Sequence, residues 1–143
     1  MPTETTYLDV TWEAGRVFFM RGLGGPVVML NLLRFRSQAD YSATPHLAPP
    51  EPIDGATAYQ RYIEHTLPIL RKSGGDIMFL GRGGPFLVGP PQERWDAALL
   101  VRQQSVAAFM AFASDAAYLE GVGHRTAALE DSRLLPLVEA ASM

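Results

Sequence analysis

Asn31 sits in an otherwise apolar stretch, Val27 to Leu33, opened by Gly25-Pro26 and closed by Arg34-Phe35-Arg36. A carboxamide in such a run brings donors and an acceptor that need partners, and leaving a buried one unpaired costs about 1–3 kcal/mol. Either a ligand supplies the partner or a neighbouring backbone does, and both readings stand. His65 could act as a general base, since an imidazole titrates near neutrality; a partly exposed helical histidine without a role is the plainer reading. Tyr62, on the same flank as His65, is a candidate to line a pocket with it. His124 and Arg125 follow Gly121 and Gly123, a pattern that predicts a loop able to present a base and a cation to a ligand. The alternative is that both tie that loop to Glu130 or Asp131. Trp95 is a candidate ligand contact, although a tryptophan opening a strand is more often an anchor of core or interface.

The other chemistries lack their residues. There is no cysteine, which removes disulfides, thiolate metal sites and cysteine nucleophiles. The three histidines lie far apart in sequence without a paired ligand spacing, so no metal is expected. His46, among prolines, is incidental. Gly81-x-Gly83-Gly84 precedes Pro85 and not a helix, so it reads as a turn and not a phosphate cradle. Ser105 and Ser114 read as helix caps and not nucleophiles. No organic cofactor motif is present.

The elements that must position these residues follow from periodicity. Thr11 caps a short helix, Trp12 to Met20, stopped at Gly22. Val27 to Phe35 reads as a central strand buried on both faces. Residues 37–53, with Pro45, Pro49, Pro50 and Pro52, read as a long surface loop: a disordered connector on composition, a lid on length. Asp54 caps a helix whose core stripe is Tyr59, Tyr62, Ile63, Thr66, Ile69 and Leu70, with a bend expected at Pro68 and a stop at Ser73-Gly74-Gly75. Asp76 to Leu80 is a strand, Gly81 to Pro85 its turn, and Phe86 to Gly89 the return. Trp95 to Arg102 is the next strand, with Asp96 placed to pair with Arg34 or Arg102. Helices follow from Ser105 and from Asp115, the latter ending at Gly121 and Gly123, with a further turn around Thr126 to Glu130. Ser132 to Val138 is the last strand.

The order is the split βαβ pattern of an α+β, ferredoxin-like βαββαβ domain, an antiparallel sheet with its helices on one face. Residues 1–24 form an N-terminal extension with a short helix, 25–138 the domain and 139–143 a tail. The bare sheet face predicts a homodimer that closes a barrel. A chain of 143 residues with net charge -3 and no basic run is not expected to bind nucleic acid. No apolar run approaches a membrane span, and residues 1–6 lack the features of a signal peptide, so a cytoplasmic location is expected.

Beyond periodicity, the sequence resembles a known family. Pro26-Val27-Val28-Met29-Leu30-Asn31-Leu32, Tyr59 and Tyr62 ahead of Pro68-Ile69-Leu70, Gly74-Gly75, Glu93-Arg94-Trp95-Asp96, Ser105-x-x-Ala108-Phe109, Asp115-x-x-Tyr118, His124-Arg125 and Asp131-Ser132-Arg133-Leu134 together resemble the domain-of-unknown-function 1330 family. The resemblance implies a dimeric α/β barrel and no agreed activity. The wider superfamily implied includes cofactor-free monooxygenases, lactone isomerases, haem enzymes and simple ligand binders. Its haem-degrading members carry an Asn, a Trp and a His on the second helix; this chain offers Asn31 and Trp95 but no histidine from Ser105 to Ser114. The expected function is binding of a small hydrophobic molecule bearing a carbonyl or carboxylate, with metal-free catalysis on it as one version. A non-catalytic ligand-binding module is the alternative, and a haem-binding monooxygenase-like protein a further one.

Overall fold

The computed structural model describes residues 5–143, so part of the extended segment expected at residues 1–10 lies outside the described residues. Its elements, in chain order, are α1 (Trp12–Met20), β1 (Val27–Phe35), α2 (Gly55–Lys72), β2 (Asp76–Pro85), β3 (Arg94–Gln103), α3 (Val106–Ala113), α4 (Ala116–Ala128) and β4 (Leu129–Leu137). The four strands form one antiparallel sheet in the order β2-β3-β1-β4. That order, with helices crossing between β1 and β2 and between β3 and β4, is the ferredoxin-like arrangement.

Helix starts follow local chemistry. Thr11, Asp54, Ser105 and Asp115 each accept a hydrogen bond from a first-turn amide of α1, α2, α3 and α4, which satisfies a donor that the helix itself leaves open. Gly74, at φ +90°, ends α2 in a conformation that a side chain resists. Pro68 is carried inside the continuous α2.

Strand alternation divides β1 into two faces. Val27, Met29 and Leu33 are closed under the helices, whereas Val28, Leu30 and Leu32 are only half-buried. The expectation of a strand buried on both faces is therefore corrected: within one chain the helix layer covers a single side. Leu33, Ala97 and Leu99 pack under α2 and α4 with Ala58, Tyr59, Ala127 and Leu129. A second cluster joins Val27 and Met29 to Val106, with Phe18 of α1 and Phe109 against it.

Three segments depart from expectation. The glycine run 81–84 lies inside β2, and the hairpin turn is Phe86 to Glu93, with Leu87 fully exposed. A Cβ at Gly83 would strike the Trp95 carbonyl, so glycine here permits close strand approach and not a turn. Helix α4 continues through Gly121 and Gly123 to Ala128, and β4 begins at once. Both glycines are buried contact points: a Cβ at Gly121 would enter the His65 ring, and one at Gly123 would lie 2.6 Å from Thr44 Oγ1. Residues 37–53 are a folded strap and not a disordered connector. Ala39 N donates to Ile53 O at 2.9 Å and Asp40 N to Ala127 O at 2.9 Å, while Tyr41, Leu47 and Ile53 pack on the core.

Candidate functional site

His65 and His124 lie on the packed helices α2 and α4. His65 Nε2 lies 2.7 Å from the Ala117 carbonyl, one helix fastened to the next. His124 is on α4 and not on a loop, because the helix runs through both glycines, and its Nδ1 lies 2.7 Å from the Tyr41 hydroxyl. Burial, then the charges of Arg61 and His65, lowers the His124 pKa from its ordinary value. Next to this pair a ladder of rings runs through Phe35, Tyr59, Tyr62, Tyr118 and Phe112. The Tyr62 and Tyr118 hydroxyls are 3.0 Å apart, and burial first, then the neighbouring tyrosines, raises Tyr62 well above its usual pKa. Burial likewise pushes Tyr59 up to about 12, so it stays protonated at neutral pH.

Arg125 is committed elsewhere. Its guanidinium donates to Leu8 O at 2.6 Å and to Ser132 Oγ at 3.3 Å, which holds the N-terminal segment along β4, rather than tying a loop to Glu130 or Asp131. Asn31 shares the helix-facing side of β1 with Met29 and Leu33, and its Nδ2 donates to Met29 O in its own strand at 3.2 Å.

Trp95 belongs to a separate charged cluster. Its ring faces the guanidinium of Arg133 at 5.0 Å and that of Arg34 at 5.6 Å. Asp131, almost wholly buried, accepts from Tyr7 N at 2.7 Å, Ser132 N at 2.8 Å and Arg133 Nη1 at 2.8 Å, and pairs with Arg34 at 3.4 Å. Burial alone would raise the Asp131 pKa, but these donors together outweigh it and lower it. An open cleft of about 370 Å³ lies over the cluster, lined by Thr5, Arg34, Glu93, Trp95 and Arg133 among others. Its carboxylates and guanidiniums largely answer one another. Asp96 pairs with neither Arg34 nor Arg102: β1 and β3 part beyond Leu33 and Ala97, and Asp96 turns to accept from Phe35 N at 2.8 Å and to meet Arg94 at 3.6 Å.

The larger cavity is a groove of about 560 Å³ between α2 and the β2–β3 side of the sheet. Ala56, Tyr59, Gln60 and Ile63 of α2 form one wall and Leu80 and Arg82 of β2 the other. The small residues Gly81 and Ala97, with Phe35 and Asp96, complete the lining. None of the six side chains singled out from sequence lines it. Arg82 was missed because 81–84 read as a turn, and Gln60 because it falls outside the apolar stripe of α2; the usable signal for Arg82 was an arginine between glycines that continue a strand. Among the described residues no group of His, Asp and Glu is arranged to hold a metal. Nor do the residues fit a haem site: His124 is engaged by Tyr41, and Trp95 is enclosed by two arginines in a different cluster from Asn31.

The chain is similar to the RPA0582 protein of Rhodopseudomonas palustris, of unknown function, at 36% identity over 96% of this chain and 100% of that one, with a TM-score of 0.82. The chain belongs to that protein's family. The methylated form of RPA0582 gives 35% identity over 97% of this chain and 100% of that one, with a TM-score of 0.84. A dimeric protein of unknown function and ferredoxin-like fold from Bacteroides fragilis is 14% identical over 78% of this chain and 94% of its own, with a TM-score of 0.47. No family model and no curated protein matches the chain. No helix among the described residues is long and apolar enough to cross a membrane.

Proposed function

We propose that this protein binds a small, mainly hydrophobic molecule in the groove between α2 and β2. The groove itself carries this reading. Its volume falls in the range of about 300–1,000 Å³ usual for ligand sites, and its walls are chiefly apolar with a few polar groups at fixed positions. Binding is favoured over catalysis because the available bases are elsewhere: His65 and His124 are at the α2–α4 seam, and Asp96 is already engaged by Phe35 N and Arg94. On this reading Tyr62 supports the groove wall from behind Tyr59, 5.2 Å away between ring centroids, while Asn31, Trp95 and Arg125 serve the fold.

The working form is proposed to be a homodimer through the bare sheet face, where Leu135, Leu137 and Phe79 remain exposed in one chain. Placement in the domain-of-unknown-function 1330 family is proposed with it, on the run of residues from Pro26 to Leu134.

Titration with N-phenyl-1-naphthylamine, followed by backbone amide shifts, tests the site. The reading expects the shifted amides to centre on Ala56, Gln60, Ile63, Leu80 and Arg82. Shifts centred instead on Leu135 and Leu137, or on Arg34 and Arg133, would overturn it.

A further inference from the structure

Arg82 is the basic residue of the groove, and like Arg102 on β3 it differs from the paired arginines of the sheet. Arg34 pairs with Glu130 and Asp131, Arg94 with Asp96, and Arg133 with Asp131. Arg82 has no carboxylate within 4.0 Å among the described residues, and it lies across from Ala97 on the helix-facing side of β2. The acidic groups of the groove and of the first turns of α2 are already in use. Asp96 receives Phe35 N and Arg94; Asp54 receives Thr57 N at 2.7 Å as the cap of α2. Glu64 sits one turn from Gln60, 3.5 Å from its amide nitrogen, on the exposed flank of α2. Tyr59, protonated at neutral pH, adds no negative charge.

The helix wall of the groove begins in the first turn of α2. Gly55 N donates to Arg36 O, Thr57 N to the Asp54 carboxylate and Ala58 N to Asp54 O. Ala56, a wall residue, has no acceptor for its amide among the described residues. An exposed guanidinium on one wall, the Gln60 side chain on the other, and Ile63, Leu80, Phe35 and Ala97 between them form an amphipathic receptor.

We propose that the ligand is an amphipathic organic anion, its carboxylate or similar head group held by Arg82 and its apolar body lying between Ile63 and Leu80. The inference rests on the groove reading above and narrows it from hydrophobic molecules to acids. A guanidinium suits such a head group because its planar donors can meet two oxygens at once.

Two probes that share a skeleton and differ in charge decide the matter: 8-anilino-1-naphthalenesulfonate and neutral N-phenyl-1-naphthylamine, titrated by fluorescence into the intact protein and into Arg82→Gln and Arg82→Lys. Ala56→Phe, which crowds the groove, shows for either probe that the signal arises there. The expected result is about tenfold or greater loss of the sulfonate's affinity in Arg82→Gln, the scale of one charge-assisted hydrogen bond. The neutral probe should change by less than about twofold, and Arg82→Lys should restore part of the sulfonate's affinity, as a point charge would. Binding of both probes in the groove with no loss of sulfonate in Arg82→Gln overturns the anion inference and leaves the groove reading standing. Failure of both probes to respond to Ala56→Phe overturns the groove reading and this inference with it.

Discussion

Tyr41 and His124 show how a single hydrogen bond can tie a connector to the frame of the fold. Tyr41 belongs to the strap over α4, its ring meets the His124 ring edge-on at 5.5 Å, and the hydroxyl to Nδ1 distance is 2.7 Å. Burial first, and then Arg61 and His65, keeps His124 below its ordinary pKa of 6.5. The unfolded chain therefore takes up this proton before the folded one does. The stability linked to His124 is fully present above pH 6.5 and is lost as pH falls from there through the lower folded value. Urea midpoints should accordingly drop between about pH 7 and pH 5, and His124→Gln should flatten that part of the profile. The carboxylates with lowered pKa, Asp40, Asp54, Asp76 and Asp131, act below their ordinary value of 3.8 and do not confuse this window. An identical slope in wild type and His124→Gln would show that His124 has no such linkage.

At the scale of elements, sequence was most informative where one local force dominates. The bounds of β1 and α1 followed from an apolar run and from a cap paired with a glycine stop, and the structure places both as expected, Val27–Phe35 and Trp12–Met20. The core stripe of α2 was equally legible, since Tyr59, Thr66 and Leu70 recur at helical spacing and all three are buried. What failed was the reading of glycine. Gly121 and Gly123 looked like stops, yet they are the places where α4 lies against His65, Thr44 and Leu47, and only tertiary packing tells a stop from a contact. The same error at 81–84 broke β2 short and hid Arg82, the basic residue of the groove. The strap misled for a related reason: its prolines suggest disorder, but its anchors, Tyr41, Leu47 and Ile53, are few and meet distant partners. Asn31 and the histidines attracted attention by residue type, and type alone does not report which partner a side chain finds. His65 found α4, His124 found the strap, and Asn31 found its own strand.

The whole molecule shows an asymmetry between its two sheet faces. One is closed by α2, α3 and α4, while the other presents Leu30, Leu32, Leu100 and Leu135 in register across three strands, with Phe79 beside Leu100. A contiguous apolar surface of this kind is rare on a monomer in water. Sedimentation at micromolar concentration should give a species of twice the 15.7 kDa chain mass, and Leu135→Glu, facing the proposed two-fold, should shift it toward the monomer or the unfolded chain. A stable wild-type monomer would remove the dimer from the account.

The most direct measurement on the groove is the affinity of N-phenyl-1-naphthylamine for wild type beside Ala56→Phe. Ala56 is exposed on α2 and outside both apolar clusters, so the larger side chain fills groove volume while leaving the core alone. Binding in the groove predicts at least about a tenfold loss of affinity in Ala56→Phe, the scale of displacing one or two well-packed groups, with melting temperature and sedimentation unchanged. Equal affinity in the two proteins, with both folded, would contradict the assignment of the α2–β2 groove as the site.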